Sequence, residues 1–357
     1  MSDRAERLVA RLVQAGVDVL LVTGLVNLRY LTGYTGSNGI ALVGREVRRF
    51  ATDFRYVEQV AEEVDPSFER AEVARDLLGE VHGLLPDGPL RLGFEARHLT
   101  VAAHARLREL LPERIELVAV DGVVETMRQV KEPGEVARIR EACRLADAAL
   151  EETLADGLAG RSEREVALAL EVAMRRHGAE RPSFEPIVAA GAHGALPHAR
   201  PRDTQIRRGE LVVIDWGALL DGYCSDCTRT VAVGAADEEA EKVYRLVLEA
   251  QLAGLAAVRA GADCREVDGA ARRIIGGGGY GERFGHGLGH GVGLEVHEDP
   301  RLSQTYDGRL EAGNVVSVEP GVYLPGRVGV RIEDLVVVSD TGADILTRVS
   351  KELTVVD

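Results

Sequence analysis

Two nine-residue segments constrain this chain more than any other feature: Gly-Glu-Leu-Val-Val-Ile-Asp-Trp-Gly at 209–217 and Gly-Asn-Val-Val-Ser-Val-Glu-Pro-Gly at 313–321. Both begin and end on glycine, Val212 falls on Val316, and Asp215 and Glu319 occupy the same slot. A second acid follows each, Asp226 eleven residues after Asp215 and Glu333 fourteen after Glu319. The surroundings repeat as well. A helix is predicted from Pro133, a residue tolerated in a first turn, to a stop at Gly157. A second opens on the capping box Ser162–Glu165 and ends at His177-Gly178. After the first acidic segment the order recurs: a helix from about Asp237 to Ala260, and another from Asp263 that dissolves in the glycines at 276–279. The strand candidates NVVSVEPG and VGVRIEDLVVV follow. So long a period predicts two copies of a half-domain and not a solenoid.

Asp221-Gly222 is the signal of a two-residue hairpin turn. With that turn, Leu220 pairs with Tyr223 and, counting outward, Asp215 pairs with Thr228. Asp226 lies two residues short of that partner, so Asp215 and Asp226 share a face as diagonal neighbours, ~7–8 Å apart at the backbone. Cys224 and Cys227 differ by an odd number and point to opposite faces, so they make neither a redox dithiol nor half a zinc site. Glu319 ends one very apolar strand and Glu333 interrupts another. Four such acids buried without cations would each cost on the order of several kcal/mol. The stretch FGHGLGHGVGLEVHEDP (284–300) holds His286, His290 and His297. Its alternating glycines argue against a metal-binding helix and for an extended or looped backbone. One imidazole joined to four carboxylates suits two divalent ions, whose charge nearly cancels that of the acids and lowers the pKa of bound water toward ~7.

Composition narrows the partners. The 357-residue chain carries a net charge of −15, which a nucleic-acid backbone would repel. No window reaches the ~18 uncharged apolar residues of a membrane span. The opening MSDRAERLVARLVQAGVDVL lacks the apolar core of a signal peptide, and four cysteines are too sparse for a disulfide framework. A cytoplasmic protein is expected. Residues 1–124 read as a small α/β domain, with strand candidates at 17–23, 39–44, 90–96 and 115–121, and residues 125–357 as an α+β domain with an internal pseudo-twofold repeat. The polar loop GYTGSNG (33–39) reads equally as a contact loop or a plain turn.

The segments LPHARP (196–201), VVIDWG, GYCSDCTRT, GHGLGHGVGLEVHEDP, VVSVEPG and GVRIED resemble, in order, the metallopeptidases of the pita-bread fold: aminopeptidase P, prolidase and methionine aminopeptidase. The resemblance implies that Asp215 binds one metal ion, that Asp226 and Glu333 bridge two, and that His290 and Glu319 bind the other. It also implies catalytic roles for His198, His297 and Glu319. His198 would stabilise the oxyanion, His297 would stand on the substrate side and Glu319 would shuttle the proton. His286 would line the proline pocket and Arg331 would contact substrate or orient a bridging acid, a structural ion pair being the alternative for Arg331. The first domain, with YLTGYTGSNG (30–39) and TDFRY (52–56), is similar to the creatinase-like domain of the proline-specific branch. Asp53 and Arg55 read as an ion pair inside it. A homodimer is expected, loaded with Mn²⁺ in the first place and Co²⁺ or Zn²⁺ in the second. The motifs favour aminopeptidase P, acting on peptides with proline second. Xaa-Pro dipeptidase is the alternative, and an inactive binding protein of the same fold is the remote one.

Overall fold

The computed structural model describes residues 4–357. It divides into two compact units, one up to Arg128 and one from Gln129 onward. The expected division lay four residues earlier. The helix Val123–Gln129 packs into the first unit, where Tyr30 OH donates to Met127 O at 3.2 Å and Arg128 Nη1 donates to Asn27 Oδ1 at 2.8 Å.

The first unit is a six-stranded mixed sheet in the order Glu69–Glu72, Arg48–Thr52, Ile40–Gly44, Val19–Val22, Leu90–Glu95, Ile115–Val120. Leu21, Leu42, Leu92 and Leu107 are fully buried in its core. The strands Arg48–Thr52 and Glu69–Glu72 escape the sequence pattern because they are short, charged and lie toward one edge. The loop 33–39 is tied down: Tyr34 OH donates to Asn38 O, and Asn38 Nδ2 donates to Asp53 Oδ2. Asp53 and Arg55 form the ion pair foreseen, at 2.8 Å.

The second unit repeats one plan. The helices Pro133–Ala155 and Glu163–Arg176 cover strands Ile187–Ala190, Leu211–Trp216 and Cys227–Val233, with Trp216 fully buried between them. The helices Glu238–Ala257 and Cys264–Gly277 cover Val315–Val318, Gly321–Leu324, Val328–Arg331 and Asp334–Val338. Three of these helices begin where capping chemistry places them: Ser162 accepts from Glu165 N, Asp237 from Ala240 N and Asp263 from Arg265 N. The halves meet through hydrogen bonds to main-chain carbonyls. Glu333 N–H donates to Thr228 O at 3.0 Å, and the Thr230 hydroxyl donates to Arg331 O at 2.9 Å. The first hairpin bends at Gly217, where a β-carbon would collide with Ser225 O. Beyond the bend, Ala218–Leu220 leaves the main sheet and pairs with Arg181–Pro182.

Candidate metal centre

The alternation read from the sequence holds in the first hairpin. Leu220 pairs with Tyr223, and Asp215 pairs with Thr228. Asp221 and Gly222 take φ values of 47° and 76°, the left-handed pair that a tight turn of this hand requires. In the second hairpin, Val318 pairs with Asp334 and Gly321 with Arg331, and that register sets Glu319 opposite Glu333. Its loop, from Leu324 to Val328, is one residue longer. Direct pairing in place of diagonal pairing adds the other two, which accounts for fourteen residues against eleven. Cys224 and Cys227 are buried free thiols in separate apolar clusters.

All five expected side chains line one cavity of about 510 Å³. Oxygens of Asp215, Asp226 and Glu333 lie within 4.8 Å of one another. His290 Nε2 stands 3.1 Å from Glu319 Oε1 and 3.7 Å from Asp226 Oδ2. Burial pushes the Asp226 carboxyl well above the ordinary carboxylate range, and the charges of Glu333 and Asp215 add to it. Burial raises Glu333 in the same way, with Glu319 and Asp215 adding. Asp215 is also raised by burial, against the pull of Arg331. Burial acts upward on Glu319 too, but the hydrogen bond and charge of His290 bring it down to about 2.

These residues fit divalent cations. Asp215 Oδ1 and Glu333 Oε1 are buried without a hydrogen-bond partner. Leaving such oxygens unpaired is costly, and a cation removes that cost. His290 Nδ1 lies 3.1 Å from Gly291 O, an acceptor only, so Nδ1 carries a proton and Nε2, 3.1 Å from Glu319 Oε1, is the ring nitrogen that faces the acids and would meet a cation. His290 N–H donates to Ser317 Oγ, and Ser317 Oγ donates to Glu319 Oε1 at 2.9 Å. A second acidic group, Glu95, His98 and Glu125, has ligand atoms equally close. There the buried Glu95 already accepts from Thr23 N, Gly24 N and Asn27 Nδ2 at 2.6–2.7 Å, which leaves it a structural knot.

The other predicted residues gather around the same cavity. His198 and His297 are exposed on its walls, and the His297 ring stacks edge-on against His290 at 4.4 Å. Desolvation by the cavity wall, then the neighbouring His290, lower His297 to about 4, so it is neutral at physiological pH. His286 Nε2 lies 3.0 Å from Tyr323 OH, and its ring meets Phe284 edge-on. The expected extended backbone is seen here: the paired side chains of Asp268 and Arg272 grip Leu288 N, Phe284 O and His286 O. Arg331 forms a buried ion pair with Asp215 at 2.6 Å and donates to Tyr323 OH, Pro197 O and Thr228 Oγ1. Sequence reasoning passed over Thr228, Tyr323, Arg200 and Arg301. Thr228 was visible in the hairpin count as the partner of Asp215. Arg301 was not, since a register shift between His290 and Gly291 decides that it stands opposite His290.

Two related halves closing on an acidic cavity make up the architecture of the pita-bread metallopeptidases. Residues 137–340 match the model of metallopeptidase family M24, and residues 4–130 that of the creatinase/prolidase N-terminal domain. The chain belongs to metallopeptidase family M24 and is a metallo-exopeptidase. It is similar to the Xaa-Pro dipeptidase of Pyrococcus furiosus, 36% identical over 99% of this chain and 100% of the other. Among solved structures it resembles an Xaa-Pro dipeptidase from Bacillus anthracis, 40% identical, TM-score 0.95, 99% of each chain covered. It also resembles an X-Pro aminopeptidase from Thermotoga maritima, 37% identical, TM-score 0.90, with 99% and 100% covered. No helix among the described residues is long and apolar enough to cross a membrane.

Proposed function

We propose that the protein is a two-metal Xaa-Pro dipeptidase, hydrolysing the bond between a first residue and a C-terminal proline. The supporting observation is Arg301, opposite His290 in the strand register and lining the same cavity, with Arg200 also on its wall. A dipeptide ends in a carboxylate just past the scissile bond, and a guanidinium there answers it. A longer peptide carries no charge at that place. The motifs alone leaned toward aminopeptidase P. The relatives named as Xaa-Pro dipeptidases favour the alternative, and the Thermotoga neighbour keeps Xaa-Pro aminopeptidase as the second possibility.

Asp226 and Glu333 would bridge two divalent ions, Asp215 would hold one, and His290 and Glu319 the other. Such ions lower the pKa of bound water and polarise a carbonyl. The remaining work falls to the chain. Glu319, ionised at neutral pH, takes the proton of the attacking water. It passes that proton to the proline nitrogen as the C–N bond breaks. His198 donates to the developing oxyanion, and His297 flanks the substrate from the other wall. His286, fixed by Tyr323, lines the proline pocket. Arg331 holds Asp215 in place and neutralises part of its charge. Mn²⁺ is the proposed ion, and Co²⁺ or Zn²⁺ suit the same donors. A cytoplasmic homodimer is the proposed working form.

The test is hydrolysis of Ala-Pro, Ala-Pro-Ala and Met-Ala-Ala by metal-loaded protein. Preference for Ala-Pro is expected, and Arg301→Ala should raise KM for Ala-Pro and leave that for Ala-Pro-Ala nearly unchanged. Faster cleavage of Ala-Pro-Ala would establish the aminopeptidase instead. Activity on Met-Ala-Ala alone would remove both.

A further inference from the structure

Glu163 is remote in sequence from every cavity residue, yet the His198 segment hangs on its carboxylate. It is the first residue of the helix Glu163–Arg176, and its side chain is wholly buried. Ala190 N–H donates to Oε1 and Arg202 N–H donates to Oε2, each at 2.9 Å. His193 Nδ1 reaches both oxygens, at 2.9 and 2.8 Å, and against an acceptor-only carboxylate it is the donor. Ala190 ends a strand, His193 sits in the tight turn Gly191–Ala195, and Arg202 follows the cavity-lining run 197–201. One carboxylate therefore fixes where the loop leaves the sheet, its middle and its return. Gly194 O rests so closely on Gly329 that a β-carbon there would collide with it. The His198 ring has no hydrogen-bond partner among the described residues, so no such bond holds it and the course of the loop sets where it stands.

We infer that Glu163 is a positioning residue for the reaction: through Ala190, His193 and Arg202 it sets the place of His198 over the scissile carbonyl without touching substrate. This rests on the role proposed for His198. A wholly buried carboxylate is retained here because three separate points of one loop satisfy it. Displacement of a reacting group by about 1 Å is enough to cost ~10²-fold in rate.

A double-variant cycle on Ala-Pro tests the inference. Glu163→Gln keeps the volume but turns one acceptor oxygen into an amide that faces the N–H donors of the loop. It should lower kcat by up to ~10²-fold and leave KM and bound metal, measured by elemental analysis, unchanged. In a His198→Ala background the same change should cost no more than about twofold further. Losses that multiply in the double variant would overturn the inference alone, as would wild-type kcat in Glu163→Gln. Wild-type kcat in His198→Ala would overturn the role of His198 itself, and the inference with it. Should Glu163→Gln fail to fold, Glu163→Asp keeps the charge and draws the carboxylate back by one methylene from all three contacts, and the same cycle with that variant supports or overturns the inference by the same outcomes.

Discussion

Glu333 holds the two hairpins and the acidic cluster together. Its N–H donates to Thr228 O, Thr228 Oγ1 donates to its Oε2 at 2.7 Å, and its Oε1 is left for a cation. Glu333→Gln can keep the Thr228 bond and removes the charge. Metal content should fall and turnover should vanish, while the metal-free variant should unfold about 1–3 kcal/mol less readily than metal-free wild type. Elemental analysis and denaturant titration read both effects. Asp147 gives a pH prediction. Burial raises it to about 6, although Oδ2 accepts from Arg348 N, and its Oδ1 has no partner. In the unfolded chain it titrates near ~3.9. Between those values the folded state binds the extra proton, so stability contributed here is lost as pH rises from about 4 to about 6. Asp147→Asn should abolish that loss, gaining up to about 3 kcal/mol at pH 7 relative to pH 4. Equal pH dependence of denaturation midpoints in both proteins would refute the assignment. At this scale the sequence was informative wherever alternation along one hairpin decided the outcome, as for Asp215 and Asp226. It was silent on Glu163, whose partners lie 27 to 39 residues away and follow from tertiary packing alone.

The long helices and the acid-bearing strands could be read because caps, glycine stops and apolar periodicity agree there. Helix Pro133–Ala155 and capping-box helix Glu163–Arg176 fall where those signals put them. The strand candidate VGVRIEDLVVV and its counterpart in the first half, 222–234, are not continuous. Each is interrupted at its acid, between Cys224 and Cys227 and between Arg331 and Asp334. The short turn carrying His297 depends on a contact that no local pattern announces. Lys131 Nζ meets Glu298 Oε2 at 3.0 Å with both side chains buried. Glu298 also accepts from Glu295 N, closing the turn. Lys131→Met should destabilise the protein by about 3–5 kcal/mol, because it removes the countercharge of a buried carboxylate. Lys131→Met with Glu298→Met should recover much of that loss. A double variant no more stable than the single one would show that the pair is not the cause.

Over the whole chain, the two related halves explain why acids more than a hundred residues apart meet in one cavity: each half brings its acid-bearing hairpin to the seam where Thr228 and Glu333 join. Four carboxylates at that seam oppose folding until cations neutralise them, so stability and activity should share one dependence on metal. At free metal one hundred times Kd the gain is about 2.7 kcal/mol per site, and chelation should lower Tm accordingly. The most direct measurement is anomalous diffraction from crystals of the metal-loaded protein at the absorption edge of the bound ion. Two peaks are predicted in the cavity, bounded by Asp215, Asp226, His290, Glu319 and Glu333. Peaks confined to other positions, such as the Glu95–His98–Glu125 group, with none among these five side chains, would contradict a dinuclear centre at the seam.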